Sequence, residues 1–163
     1  GRKARVKIVG ENKNPVKKGE AMYTFEDFVK IIAELRSEHG CPWDREQTFQ
    51  SLKKCLADET EEVFWAIDHE DMENLCEELG DVLLQVVMNS QIAAEMGAFT
   101  IEDVIDGVSQ KMIRRHPHVF GDVKVSSPEE SLALWKEIKR QEKEAKNKRA
   151  KEGENAEENA EKP

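Results

Sequence analysis

Two pairs of carboxylates lie on the inward sides of consecutive helical segments, and they constrain this chain more than any other feature of its sequence. Between about Thr48 and Ile67 the apolar residues Leu52, Cys55, Leu56, Val63 and Ala66 fall on one stripe when each residue is advanced by about 100°, the mark of an amphipathic helix. With Glu59 as the reference direction, Leu52 lies at about 20°, Val63 at about 40°, Ala66 at about −20° and Glu62 at about −60°. Asp58 and Glu61 point away, at about −100° and 200°. The helix therefore turns Glu59 and Glu62 toward the core and leaves their acidic neighbours outside.

A second segment, from about Asp71 to Met96, repeats the arrangement. Its stripe of Leu75, Leu79, Val82 and Val86 is edged by Glu78 and Asp81, and Gln85 and Asn89 continue a polar seam beside it. The connection around His69 and Glu70 leaves room only for a reversal, so the two helices should pack antiparallel and bring Glu-x-x-Glu opposite Glu-x-x-Asp. A single Glu-x-x-Glu on an acidic helix is ordinarily a solvated surface pair. Two such pairs on inward stripes place four acids in one cleft, where they need positive compensation or protons. An all-oxygen set without His or Cys suits a hard cation such as Mg²⁺ or Mn²⁺. Carboxylate di-iron bundles carry His at the third position after a Glu; here those positions hold Trp65 and Asp81, which argues against iron.

The remaining periodicity is also helical, which makes the expected fold an all-α bundle of about five helices around the central antiparallel pair. Thr24 and Asp27 open the first helix, whose Phe25, Phe28, Ile31, Ile32 and Leu35 repeat until Gly40. A loop containing Cys41-Pro42-Trp43-Asp44 follows. Thr100 and Asp103 cap the fourth helix, which carries Val104, Ile105, Val108 and Met112 to about Arg115 and is broken by His116-Pro117. Ser127 and Pro128 start the fifth, with Leu132, Trp135 and Ile138 on its apolar side. Residues 1–20 read as a flexible basic arm or linker, 21–140 as the folded domain, and 141–163 as a charged tail that extends a helix briefly and is then largely disordered.

Charge narrows the partners. Residues 1–20 hold seven basic against two acidic groups and 141–163 six against seven, so of the formal charge of −9 the stretch 21–140 carries −13. So acidic a body repels nucleic acid, and no run of about 18 apolar residues offers a membrane span. Three cysteines, Cys41, Cys55 and Cys76, fit neither a disulfide framework nor a zinc pattern, which points to a reducing cytoplasm. Cys55 and Cys76 fall near apolar stripes and are expected in the core.

The run Asp58-Glu59-x-x-Glu62, a spacer, and Glu78-x-x-Asp81 resembles the signature of the MazG family, Glu-Glu-x-x-Glu followed by Glu-x-x-Asp, with Asp58 in place of the first Glu. Gly40-Cys41-Pro42-Trp43-Asp44 and Arg114-Arg115-His116-Pro117-His118-Val119-Phe120 are similar to its flanking motifs, and the likeness extends over residues 23–140. The resemblance implies a MazG-like bundle, usually a homodimer, that hydrolyses nucleoside triphosphates to the monophosphate and pyrophosphate with Mg²⁺. It matches Glu59, Glu62, Glu78 and Asp81 to the family's metal ligands, Lys111 to Arg115 to a phosphate-contacting segment, and Trp135 to a nucleotide-contacting Trp. Asn74 stands where some members have Lys.

Physically the scheme is coherent, because an acidic cleft can take a polyanion only through intervening cations. Lys111 and Arg115 lie one turn apart and can face one phosphate chain while Arg114 reaches sideways, although a cationic helix C-terminus accounts for them equally simply. Water activated by the metal would attack the α-phosphorus, and a carboxylate would take its proton. Trp43 could stack on a base or pack against the first helix. His116 and His118 read as a structural turn around Pro117. Two alternatives keep the fold: a narrower pyrophosphatase for deoxynucleotides, modified nucleotides or phosphoribosyl-ATP-like compounds, which a substrate panel would separate, and a non-catalytic helical regulatory dimer. The latter would be expected to lack one or more of the four acids, and all four are present.

Overall fold

The computed structural model describes residues 21–160, and all regular structure among them is helical. The helices are α1 (Phe25–Leu35), α2 (Pro42–Glu46), α3 (Phe49–Asp68), α4 (Met72–Glu95), α5 (Ile101–Arg115), α6 (Pro117–Phe120) and α7 (Pro128–Ala160). The expected arm at residues 1–20 lies outside the described residues. Two of the seven helices were not foreseen: the Cys41-Pro42-Trp43-Asp44 loop winds into α2, and the chain broken at His116 restarts as α6. Both have Pro in the first turn, where its fixed φ suits a helix and its missing N–H leaves no bond unmade. The chain divides into two compact units, with the boundary between Ile101 and Glu102.

In the first unit the helix ends are set by local chemistry. Thr24 and Asp27 form a reciprocal capping box on α1, Thr48 and Ser51 form another on α3, and the Asp71 carboxylate accepts the Asn74 N–H at the start of α4. α1 stops at Leu35, short of Gly40, because the chain folds back over its end: the Cys41 N–H donates to Leu35 O at 2.8 Å. A Cβ at Gly40 would lie 2.2 Å from that same oxygen, so only glycine fits there. α3 and α4 end in the same hydrogen-bond pattern. Asp71 N–H donates to Ala66 O and Glu70 N–H to Ile67 O; Ala98 N–H donates to Ala93 O and Gly97 N–H to Ala94 O. The second has Gly97 at φ 70°, but the first forces Glu70 to φ 54°.

α4 packs against both α3 and α1. The core consists of Ile32 from α1, Leu52 and Ala66 from α3, and Val87, Met88, Ile92 and Ala93 from α4, with Ile101 at the start of α5. This revises the expected α4 stripe, since Leu79 is 52% exposed and Val86 is also exposed. α1 packs on α4, the ion pair between Arg36 and Glu95 joins their C-terminal ends, and the buried residues of α4, from Gln85 to Ala93, all lie in its C-terminal half. Cys76 is exposed rather than buried, and Cys55 is half-buried; all three cysteines are free.

The second unit holds α5 beyond Ile101, α6 and α7. The Ser127 hydroxyl accepts the Glu130 N–H at the start of α7. The segment from residue 141, expected as a largely disordered tail, continues α7 to Ala160. Its Ala, Glu and Lys are strong helix formers, and ion pairs one turn apart, Arg140 with Glu137 and Glu144 and Lys148 with Glu152, reinforce them. No described helix is long and apolar enough to cross a membrane.

Candidate active site

Glu59 projects from the middle of α3, and Glu78 and Asp81 from the first turns of α4. Glu59 lies eleven residues before Glu70 and Asp81 eleven after it, so the three-residue turn His69–Asp71 brings them to the same level. One carboxylate oxygen from each of Glu59, Glu78 and Asp81 lies within 4.8 Å of the others, and all three side chains are half-buried. Glu62, expected beside Glu59 on the inward side of α3, is instead exposed and stands outside this group of three, so three acids rather than four converge here; its charge is still felt by both Glu59 and Glu78. Burial pushes the Glu59 carboxyl above the ordinary carboxylate range, and the charges of Asp81, Glu62 and Asp58 push it further, partly offset by a hydrogen bond with Glu78. The Glu78 carboxyl is raised by the same causes, burial first and then Asp81, Glu62 and Glu59. These acids repel one another, a conflict that a divalent cation would relieve. The donor set, oxygen only and spanning less than 5 Å, fits a hard cation.

Trp43 sits on α2 and is 62% exposed. Asn74 is half-buried just after the α4 cap. In the second unit, Lys111 and Arg114 are exposed and Arg115 is half-buried on the last turns of α5. Arg114 Nε pairs with Glu142 Oε1, while Arg115 donates through Nε and Nη2 to Oε2 at 3.1 and 2.8 Å. The Arg115 and Arg114 guanidinium groups hold the Glu142 carboxyl below its usual range. Trp135 is flanked by two cations, with Lys139 Nζ 4.9 Å and the Arg115 guanidinium 5.6 Å from its ring centre. Beside it, His116, His118, Ser131, Leu132 and Trp135 line an open cleft of about 320 Å³. His116 Nδ1 lies 2.6 Å from Met112 O, which ties the ring to the end of α5.

Glu142 escaped the sequence reading because it falls in the charged stretch after residue 140. The available signal was its position seven residues, two turns, beyond Trp135 on the same face. Arg36 and Glu95 were also missed: 59 residues separate them, and no local pattern announces a pair at that distance.

Fold and site together define an all-helical protein that gathers carboxylates across a pair of adjacent helices. A family profile for the MazG nucleotide pyrophosphohydrolase domain matches residues 47–120. The crystal structure of a mazG-related protein from Thermotoga maritima superposes with a TM-score of 0.60 at 35% identity, covering 71% of this chain and 98% of that one. The chain belongs to the MazG family. Among curated relatives, a nucleoside triphosphate pyrophosphohydrolase/pyrophosphatase MazG of Thermotoga maritima is 56% identical over 124 residues, 76% of this chain and 47% of the relative. An uncharacterized protein, YabN, of Bacillus subtilis is 53% identical over 130 residues, 79% of this chain and 27% of the relative. The chain thus spans half or less of the length of these curated relatives.

Proposed function

We propose that this chain hydrolyses nucleoside triphosphates to the nucleoside monophosphate and pyrophosphate in a Mg²⁺-dependent reaction, with Mn²⁺ as a substitute. The observation that carries the reading is the convergence of Glu59, Glu78 and Asp81 across α3 and α4 in a chain of this family. The name of the curated Thermotoga maritima relative, a nucleoside triphosphate pyrophosphohydrolase/pyrophosphatase, supports it.

In this reading Glu59, Glu62, Glu78 and Asp81 hold the cation and form the catalytic centre. When bound, the cation neutralises phosphate oxygens and lowers the pKa of a water molecule. The cluster's carboxylates orient the attacking water and accept its proton, so that attack falls on the α-phosphorus. Lys111, Arg114 and Arg115 are the phosphate contacts, which requires the triphosphate to share or displace the Glu142 carboxylate that now engages both arginines. Trp43 and Trp135 contact the nucleoside, Trp43 by stacking, which its exposure permits.

The chain acts as a homodimer with the α3–α4 antiparallel pair at its centre, and the exposed Leu56, Phe64, Leu79, Leu83 and Val86 on these helices supply an apolar face for the partner copy. Free cysteines fit a cytoplasmic setting, and the acidic body fits neither nucleic acid nor a membrane as partner. Residues 21–140 constitute the catalytic domain. Product analysis with the eight common nucleoside triphosphates and Mg²⁺ tests the proposal. Equimolar monophosphate and pyrophosphate are expected, and no turnover of any of the eight contradicts it.

A further inference from the structure

Arg36 stands at the C-terminal cap of α1 with its side chain only 7% exposed. Its Nε and Nη2 donate to Glu95 Oε1 and Oε2 at 2.9 and 2.7 Å, a two-pronged pairing that fixes the plane of the guanidinium. Its remaining arm, Nη1, donates to the backbone oxygens of Asp44 at 2.5 Å and Gln47 at 3.2 Å, inside and just beyond α2. Glu95 is itself steadied by Gln91 Nε2 at 3.2 Å. Further bonds hold the same segment: Arg45 Nη1 to Glu38 O at 3.1 Å, Gln47 Nε2 to Trp43 O at 2.9 Å, and the Ser51 hydroxyl to Gln47 Oε1 at 2.8 Å.

A five-residue helix has no stability of its own. Here one buried guanidinium fastens it, glycine at position 40 lets the chain enter it, and the large aromatic it carries is left in solvent. So much fixing of a surface segment is unneeded for the core, because α2 contributes no buried residue to it. An exposed indole on a segment whose backbone is already fastened is instead suited to stacking, since little backbone freedom remains to be lost when a flat ligand binds.

We infer that Arg36, oriented by Glu95, is a positioning residue that holds Trp43 as a preformed stacking surface for the nucleobase; this rests on the role given to Trp43 above. Lysine cannot replace it, because an ammonium lacks the fork that reaches Glu95 and two carbonyl oxygens together.

Two measurements test this. The first uses the whole 163-residue chain carrying Trp65→Phe and Trp135→Phe, so that Trp43 is its one remaining tryptophan, and follows its time-resolved fluorescence anisotropy. Arg36→Lys is expected to add a fast local rotation of the indole while helical content stays constant, and an unchanged decay overturns the inference. The second is a double-mutant cycle in otherwise native protein. Trp43→Ala and Arg36→Lys are each expected to raise KM for the triphosphate by up to about tenfold, the scale of one base–aromatic stack, with kcat within about twofold. In the Trp43→Ala background Arg36→Lys is expected to add nothing. An equal Arg36→Lys effect with and without Trp43 overturns the positioning role. No effect of Trp43→Ala on KM removes the stacking reading of Trp43 and the purpose assigned to Arg36. The anisotropy, which needs no nucleotide, distinguishes that result from failure of the mount itself.

Discussion

Asp81 and Glu62 occupy different places in the cluster, one half-buried among the converging oxygens and one exposed at its margin, yet both are assigned to the cation. Asp81→Asn and Glu62→Gln are each expected to lower kcat/KM by about 10²–10³-fold, the scale of removing one preorganised electrostatic group, with an unchanged circular dichroism spectrum. Metal-free Asp81→Asn should also unfold at a higher temperature than the metal-free parent, because one of several crowded negative charges is gone. Near-parental turnover at saturating Mg²⁺ would remove that residue from the site. A second residue carries strain unrelated to catalysis. Glu70 holds φ 54° at the reversal between α3 and α4, where the matching turn after α4 uses glycine. Glu70→Gly is expected to stabilise the protein by about 0.5–1 kcal/mol in urea unfolding, because the left-handed cost of a β-carbon disappears and exceeds glycine's added chain entropy. A loss of stability would mean that the Glu70 side chain makes a contact worth more than its strain.

At the scale of the elements, the long helices were legible because period and boundary agree: Thr24 with Asp27 caps α1 as the sequence suggests, and Thr48 and Asp71, where the next two helices were expected to begin, turn out to be their caps. Glu59, Glu78 and Asp81 were legible for the same reason, since the helical period fixes direction and a short turn fixes level. Short helices were not. α2 and α6 have too few residues for a period, and tertiary bonds such as those from Arg36 shape α2. Leu79 and Val86 were misjudged because an apolar stripe shows which face seeks cover but not whether the same chain supplies it. The pair joining α1 to α4 also gives a pH dependence. The hydrogen bonds from Arg36 hold the Glu95 carboxyl below its ordinary range despite partial burial. A depressed carboxylate contributes stability that is fully present above the unfolded value of about 4.3 and is lost as pH falls through the folded value. The stability difference between the parent and Glu95→Gln should therefore be constant above about pH 5 and shrink progressively below about pH 4. A difference that stays constant throughout that acid range would show that Glu95 acts by packing rather than by charge.

For the whole molecule, the proposed function is one chemistry, cleavage between the α- and β-phosphates, and the acidic body, the carboxylates across α3 and α4 and the membership of the MazG family support it. This is what separates a pyrophosphohydrolase from the phosphatases that release single phosphates, and it depends on where water enters rather than on whether metal binds. Charge placed by Lys111, Arg114 and Arg115 on the β- and γ-phosphates would favour pyrophosphate as the leaving group. The most direct test is to run the reaction with Mg²⁺ in ¹⁸O-labelled water and weigh the products by mass spectrometry. The label is expected in the nucleoside monophosphate, with pyrophosphate unlabelled. Label in pyrophosphate would mean attack at the β-phosphorus, early release of inorganic phosphate would mean attack at the γ-phosphorus, and either result would contradict the proposed function.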